Sequence, residues 1–358
     1  MIVQAKLNSD DKMTRLLDMK SAFQELMGRE AGEKTRYKDS GSKLSVELSN
    51  TKMLNGELKS RFSKLSDGSI ITLFDKTPYP ENETDVVCPH FVELKWANGC
   101  KFDCSWCYLN GTLRFRPMGK KPYLKDEDKI ISHLQNYFKQ VHTPTILNSG
   151  ELSDSLAFEG NGNALSKFII PLFKKQKKHK LLILTKSVNV KGILDSEAKK
   201  QLIVSFSLNS FEVAKRWENL APTPKQRIKA AKKLSNAGYR IRIRIDPIVP
   251  VDNWESGYKE LIDHLFENIT PDRITIGSLR GLQSTINNSS DKTWVDYLDD
   301  RSNWGKKISF DKRFQMYKTI ISYLEDKYSY SNVGLCKETV GMWNKLEMDY
   351  REIMCNCI

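Results

Sequence analysis

From about residue 86 onward, short apolar runs alternate with amphipathic stretches. The runs are Phe91–Trp96, Thr145–Asn148, Leu181–Thr185, Leu202–Leu208, Arg240–Ile245 and Arg273–Ile276. Between them, near 125–139, 164–177, 191–199, 224–237 and 255–267, apolar residues recur at helical spacing. Strand and helix in regular alternation predict an α/β protein with a parallel sheet and right-handed crossovers. Six such units suggest a partial (β/α)6 barrel over residues 86–290; a flat doubly wound sheet is the alternative. Residues 1–85 are polar and lysine-rich, with a helical pattern near Lys12–Met27, and read as an N-terminal extension, partly helical and basic. Residues 291–358 predict a helical C-terminal region, with helices at 310–328 and 339–350 and a short strand at 332–336.

The strand Arg240-Ile-Arg-Ile-Arg-Ile-Asp246 separates its isoleucines from its charges, because successive side chains point to opposite faces. In a barrel the outer face packs on helices and is apolar, so the Arg/Asp face points inward. Charge buried there needs partners, either within the protein or on a bound ligand. Arg244 and Asp246, nearest the strand's C-terminal end, are the favoured ligand contacts. The same parity puts Ser205, Ser207 and Asn209 on one face.

The net charge of +13 adds a partner class. Basic residues recur in separate clusters, Arg114, Arg116, Lys120 and Lys121 in one and Lys174, Lys175, Lys177, Lys178 and Lys180 in another. Such clusters suit a polyanion, DNA above all, although charge alone carries no sequence choice. No apolar run approaches the roughly 18 residues of a membrane span. The N-terminus lacks the apolar core of a signal peptide. A cytoplasmic location is the expectation, in a host cell if the chain is phage-encoded.

Seven cysteines stand at 88, 100, 104, 107, 336, 355 and 357. Clustered cysteines in a cytosolic chain read as metal or redox sites before disulfides. Cys100, Cys104 and Cys107 form a C-x3-C-x2-C loop just after the first predicted strand, where barrel enzymes place their sites. Three thiolates this close can hold a [4Fe–4S] cubane but leave its fourth iron open. That open iron can chelate the amino and carboxylate groups of S-adenosylmethionine (SAM). A structural zinc would need a fourth ligand, and His90 is the one histidine nearby. The loop, with Trp106 before its last cysteine, resembles the signature of the radical SAM superfamily. That likeness implies reductive cleavage of SAM and a TIM-like partial barrel, fed by a one-electron reductant such as flavodoxin or ferredoxin.

A closer likeness runs through Cys104-Ser-Trp-Cys-Tyr-Leu109, Leu184-Thr-Lys-Ser-Val-Asn-Val190, Val204-Ser-Phe-Ser-Leu-Asn209, Arg227-Ile-Lys-Ala-Ala231 and Asp246-Pro-Ile248. This series, over roughly residues 86–285, resembles the spore photoproduct lyase family, which cleaves a thymine dimer in DNA. The resemblance marks Gly150 and Glu151 at the amino group of SAM, Lys186 at its carboxylate, and Ser207 and Asn209 at its ribose. Tyr108 either lines the site or simply packs. The lyases carry a hydrogen-donating cysteine after the second strand. Here that segment reads Asn148-Ser-Gly-Glu-Leu-Ser-Asp-Ser155, without one. Base modification or isomerisation of a thymine derivative, as in a phage-type route, then fits as well as repair does. A radical SAM enzyme acting on a peptide or small molecule, and a metal-stabilised nucleic-acid-binding protein, are the alternatives.

Cys336 and the pair Cys355 and Cys357 remain. They can form a second cluster, act as a redox pair, supply the missing hydrogen atom, or lie as reduced thiols in a frayed tail. Cys88, beside Pro89, reads as structural.

Overall fold

A computed structural model of the chain describes residues 34–37, 44–52, 58–74, 77–302, 304–352 and 355–358. One eleven-stranded sheet runs through them in chain order. Strands β1 (Lys34–Tyr37), β2 (Ser45–Lys52), β3 (Leu58–Ser66) and β4 (Ile71–Phe74) are antiparallel. β4 also pairs antiparallel with β5 (Phe91–Leu94), matching Ile71 to Leu94 and Phe74 to Phe91. Six further strands follow in parallel: β6 (Ile146–Asn148), β7 (Lys180–Thr185), β8 (Leu202–Leu208), β9 (Arg240–Ile248), β10 (Arg273–Ser278) and β11 (Val333–Leu335).

Helices α1 (Glu127–Gln140), α2 (Leu165–Lys175), α3 (Lys191–Ser196), α4 (Pro224–Asn236), α5 (Trp254–Phe266) and α6 (Phe310–Tyr328) occupy the six crossovers of this parallel set. Their starts follow local chemistry. Asp126 accepts a hydrogen bond from the Lys129 amide at the head of α1, with Glu127 and Asp128 in its first turn. Thr223 and Gln226 form a reciprocal capping box on α4, with Pro224 at its first turn. The helices bury one face each. In α2 that face is Leu165, Phe168, Ile169, Ile170 and Phe173, which join β-strand residues such as Ile183, Phe206, Ile243 and Ile276 in the main core. All seven residues of β8 are buried, as expected of a parallel strand covered on both faces.

The partial barrel expected from the pattern is present, with two differences. It has seven parallel strands, because the short strand assigned to the C-terminal region docks beside β10 as β11. The described part of residues 1–85 is antiparallel sheet joined through β4 to the barrel, while the helical pattern near Lys12–Met27 lies outside the described residues. Val86–Val87, just before β5, pairs antiparallel with Glu338–Thr339, just after β11. This short latch bridges the seam between the first and last parallel strands. Among the described residues no helix is long and apolar enough to cross a membrane.

Candidate iron–sulfur site

The loop after β5 is fixed by its backbone. Gly99 has φ +85, and a Cβ there would meet the carbonyl oxygens of Lys120 and Lys121 at 2.5 Å, so only glycine fits. The Gly99 amide donates to the Leu152 carbonyl at 2.8 Å, and the Cys100 amide to that of Lys120 at 2.8 Å. Asp103–Cys104 pairs antiparallel with Glu218–Asn219. The Ser105 amide reaches the Trp217 carbonyl at 2.9 Å, and the Ser289 hydroxyl donates to the Ser105 carbonyl at 2.8 Å. The Cys107 amide closes the turn on the Cys104 carbonyl at 3.1 Å. Trp106 packs half-buried on Trp217, ring centroids 5.7 Å apart. Three thiols are thus presented by a loop held on every side, at the C-terminal end of the parallel strands.

The electrostatics around them are specific. Burial pushes the Cys100 and Cys104 thiols up to about 12, and the charge of Lys186 works in the opposite direction on both. Ligand thiols must lose their protons to bind metal, so without metal these two stay neutral. Burial opposes the charge on Lys186, but Glu218, 3.7 Å from its Nζ, together with Cys104 and Cys107, outweighs it and favours the protonated lysine. Glu218 is itself buried and lies 2.6 Å from Arg227 Nη2. Asp154 braces the same corner. Its carboxylate accepts from the Thr185 hydroxyl at 2.7 Å and from the amides of Lys186 at 2.7 Å and Leu156 at 2.9 Å.

The other sequence-derived candidates divide into two groups. Glu151 lies at the mouth, its Oε1 accepting from Asn148 Nδ2 at 2.8 Å, and the Tyr108 hydroxyl donates to its carbonyl. Tyr108 is 38% exposed there, so part of its ring is open to a ligand while its hydroxyl stays engaged. Gly150 has no room for a side chain, since a Cβ would lie 2.5 Å from that of Leu184. The second group is already engaged by protein atoms. Asn209 is fully buried; its Nδ2 donates to the Pro247 carbonyl at 2.8 Å and its Oδ1 accepts from the Tyr258 hydroxyl at 2.7 Å. Ser207 gives its carbonyl to Arg227 Nη1 at 3.0 Å.

The inward Arg/Asp face of β9 is paired with the protein as well. Arg242 Nη1 donates to the carbonyls of Asn356 and Ile358 at 2.9 and 2.7 Å. Arg244 lies 3.3 Å from Asp246 and donates to Cys336 Sγ at 2.8 Å, while Arg280 grips Asp246 at 2.9 and 3.0 Å. Burial works against the Asp246 carboxylate, but these two guanidiniums outweigh it and hold its pKa well below the ordinary range. The tail is therefore not frayed. Cys355, Asn356 and Cys357 are all buried, and Asn356 bonds Ser205, Ile243 and Thr275 at 2.7 to 2.9 Å. Sequence reasoning missed Glu218, Asp154, Arg227 and Arg280, and assigned Cys88 no partner.

The two basic clusters are also separated. Lys174, Lys175, Lys177, Lys178 and Lys180 run from the end of α2 into the start of β7, at the end of the strands opposite the cysteine loop. Arg114, Arg116, Lys120 and Lys121 follow that loop directly. Arg114 covers the ring of Phe115 at 4.1 Å, and Phe115 is 82% exposed, next to exposed Met118 and Tyr123. A hollow of about 580 Å³ opens beside the loop, between Lys101 and Phe102, Ser187–Asn189 and Leu220–Pro222.

The donor set fits an iron–sulfur cluster better than a single ion. Three thiols are one short of a cubane's four. Among the described residues, no three His, Cys, Asp or Glu side chains stand where they would ligate one metal ion. A parallel partial barrel carrying three cysteines on the loop after its first strand defines the radical SAM type of α/β fold. A family model described as spore photoproduct lyase matches residues 90–280, more than half of the chain, and the chain belongs to that family. It is 29% identical over 174 residues to the spore photoproduct lyase of Clostridium acetobutylicum, covering 48% of this chain and 50% of that one. Against the Bacillus subtilis lyase the figures are 30% over 181 residues, 49% and 50%. The chain thus spans about half the length of these relatives. A solved spore photoproduct lyase complexed with a dinucleoside spore photoproduct shares the fold at TM-score 0.58 and 20% identity, over 73% of this chain and 79% of that one. Another, a lyase mutant with bound AdoMet and the same dinucleoside, gives TM-score 0.57 at 21% identity.

Proposed function

We propose that the protein is a radical SAM enzyme acting on a thymine or modified thymine in DNA. The carrying observation is the pinned trio Cys100, Cys104 and Cys107 at the mouth of the parallel barrel, one ligand short of a complete cubane set. When bound, the cluster and SAM supply hydrogen-atom abstraction from an unactivated carbon.

The chain's own residues bind and orient. The three thiols hold the cluster, and Lys186 lies beside Cys104 and Cys107, where its charge offsets theirs. Glu218 and Asp154 keep the Lys186 segment in place. Glu151 and Gly150 face the mouth as the contact to the SAM amino group. Lys186, Ser207 and Asn209 are the family-implied contacts to its carboxylate and ribose. The Ser207 hydroxyl is the freer of the last two, since both ends of the Asn209 amide are spent on protein atoms. Arg244 and Asp246 shape the interior through their mutual pairing and that with Arg280.

DNA as the substrate rests on the family and on the surface beside the loop. Arg114, Arg116 and Lys121 alternate there with exposed Phe115 and Tyr123, the mix of cations and stacking faces that grips a nucleic-acid strand. The segment after β6 has no cysteine to return a hydrogen atom, so base modification or isomerisation fits as well as dimer repair does. The test is anaerobic turnover with SAM, dithionite and DNA deuterated on thymine. Deuterium in the 5′-deoxyadenosine product is the expected result. Formation of 5′-deoxyadenosine with no label from any DNA would transfer the substrate to the peptide or small-molecule class.

A further inference from the structure

Four cysteines lie outside the loop, and the fold gathers all of them at the barrel seam. Cys88 follows Val86–Val87 and so stands opposite Lys337, whose Nζ lies 3.3 Å from its sulfur. Cys336 leaves β11 with its amide on the Ile276 carbonyl at 2.8 Å, and its sulfur accepts from Arg244 at 2.8 Å and Arg280 at 3.5 Å. Cys355 and Cys357 pack on Phe91 of β5, next to Phe74 and Ile358. The two thiols are close enough to perturb each other's ionisation. Lys337 Nζ also lies 4.9 Å from the centre of the Phe74 ring, which packs against the tail pair, so Cys88 and the tail thiols share one wall, and each of the four thiols bears electrostatically on the others.

Ordinary packing does not account for this arrangement. Free cysteine behaves as a small hydrophobe, and neutral thiols in a core do not call for cations. Here Arg244, Arg280 and Lys337 all reach sulfur, against two carboxylates, Asp246 and Glu151, that bear on the same groups. A positive surplus faces the four sulfurs. An oxidised cubane with four thiolates carries roughly two negative charges and accepts N–H hydrogen bonds at sulfur. The placement of the tail is equally deliberate. Arg242 and Arg273 hold the carbonyls of residues 355, 356 and 358, and the Asn356 side chain is tied to three strands. These bonds fix where Cys355 and Cys357 stand.

We propose that Cys88, Cys336, Cys355 and Cys357 are the four ligands of a second iron–sulfur cluster, fully ligated and closing the seam between β5 and β11. It has no open iron, so its chemistry is distinct from that of the three-cysteine loop, and it does not depend on the substrate assigned above.

The test uses the full chain, purified and reconstituted anaerobically with iron and sulfide. The wild type should hold about eight irons and eight sulfides per chain. The triple variant Cys100→Ala/Cys104→Ala/Cys107→Ala should keep about four of each, with a cubane spectrum. The complementary Cys355→Ala/Cys357→Ala variant should keep about four at the loop. Should that variant fail to fold, the triple variant still decides the matter, because its tail is intact. A folded triple variant with no iron, with zinc instead of iron, or with a Cys355–Cys357 disulfide overturns the second cluster. Those outcomes leave the loop reading untouched. The loop reading itself fails if wild type and triple variant hold the same four irons.

Discussion

The two groups of cysteines are held in opposite ways. The loop trio comes from eight consecutive residues, and its shape is set by backbone bonds to nearby strands and by one glycine, Gly99. The seam quartet comes from three distant stretches and is held by side chains, chiefly Arg242, Arg244, Arg273 and Asn356. A locally built site tolerates loss of a thiol without losing the fold. A site assembled from side chains across a barrel couples its thiols to stability. The contrast predicts that changes at the loop act on chemistry, while changes at the seam act on both iron content and folding.

The largest effect expected is at the loop. Cys104→Ser should lower 5′-deoxyadenosine formation by about a thousandfold or more, since a missing ligand removes the chemistry outright. Thermal unfolding of the iron-free protein should shift little. A large drop in the melting temperature of that apo protein would erase the distinction between the two groups.

At the seam, Arg242→Ala strands two tail carbonyls in the interior. Hydrogen bonds to charged groups contribute roughly 1.5–3 kcal/mol each, so urea unfolding should show a loss of about 2–4 kcal/mol. Protease cleavage near residue 350 should rise in parallel. An unchanged urea midpoint would mean that the tail grip is dispensable.

Gly99→Ala sharpens the comparison from the other side. The left-handed backbone alone costs about 1–2 kcal/mol for a residue with a Cβ, and here the Cβ also meets two carbonyls at 2.5 Å. The loop should move, and iron at the trio should fall by at least half while the seam iron stays. Retention of full SAM cleavage in this variant would show that the loop is not pinned there.

The smallest effect concerns neither group and serves as a reference. His179 is buried between the Thr145 hydroxyl at 2.7 Å and the Val141 carbonyl at 2.9 Å. Burial holds its pKa down to about 4. The unfolded chain, with histidine near its ordinary value, binds the proton first. The His179 contribution is therefore intact above about pH 6.5 and is lost as pH falls toward 4. His179→Gln should flatten that part of the stability-versus-pH curve and leave iron content at both groups unaltered.

The barrel was legible because its strands are apolar runs and its helices carry their own caps, as at Asp126 and Thr223. The loop trio was legible because a cluster needs ligands at close spacing, and that spacing is written in one segment. β1–β4 were hidden by composition. In Ser45–Lys52 only Val46 and Leu48 mark the buried side, and Glu47 is buried between them. The inward direction of the β9 charges followed from strand parity, but their partners did not. Nothing near Arg242 or Arg244 in sequence announces Asn356, Ile358 or Cys336. Lys186 and Glu218 meet only because Asp103–Cys104 and Glu218–Asn219 pair across the mouth. Contacts of this kind depend on topology, which local pattern does not specify.

The strip from Cys355 to Ile358 also has a consequence for how the interior can change. It lines the barrel as a lodger, bonded to β8, β9 and β10 without belonging to any of them. Its bonding partners precede it by up to 151 residues, so it seats late, after the shell around it has formed. An interior furnished by a separate strip can be refitted by replacing that strip alone. Related barrels with identical walls can then enclose different chemistry.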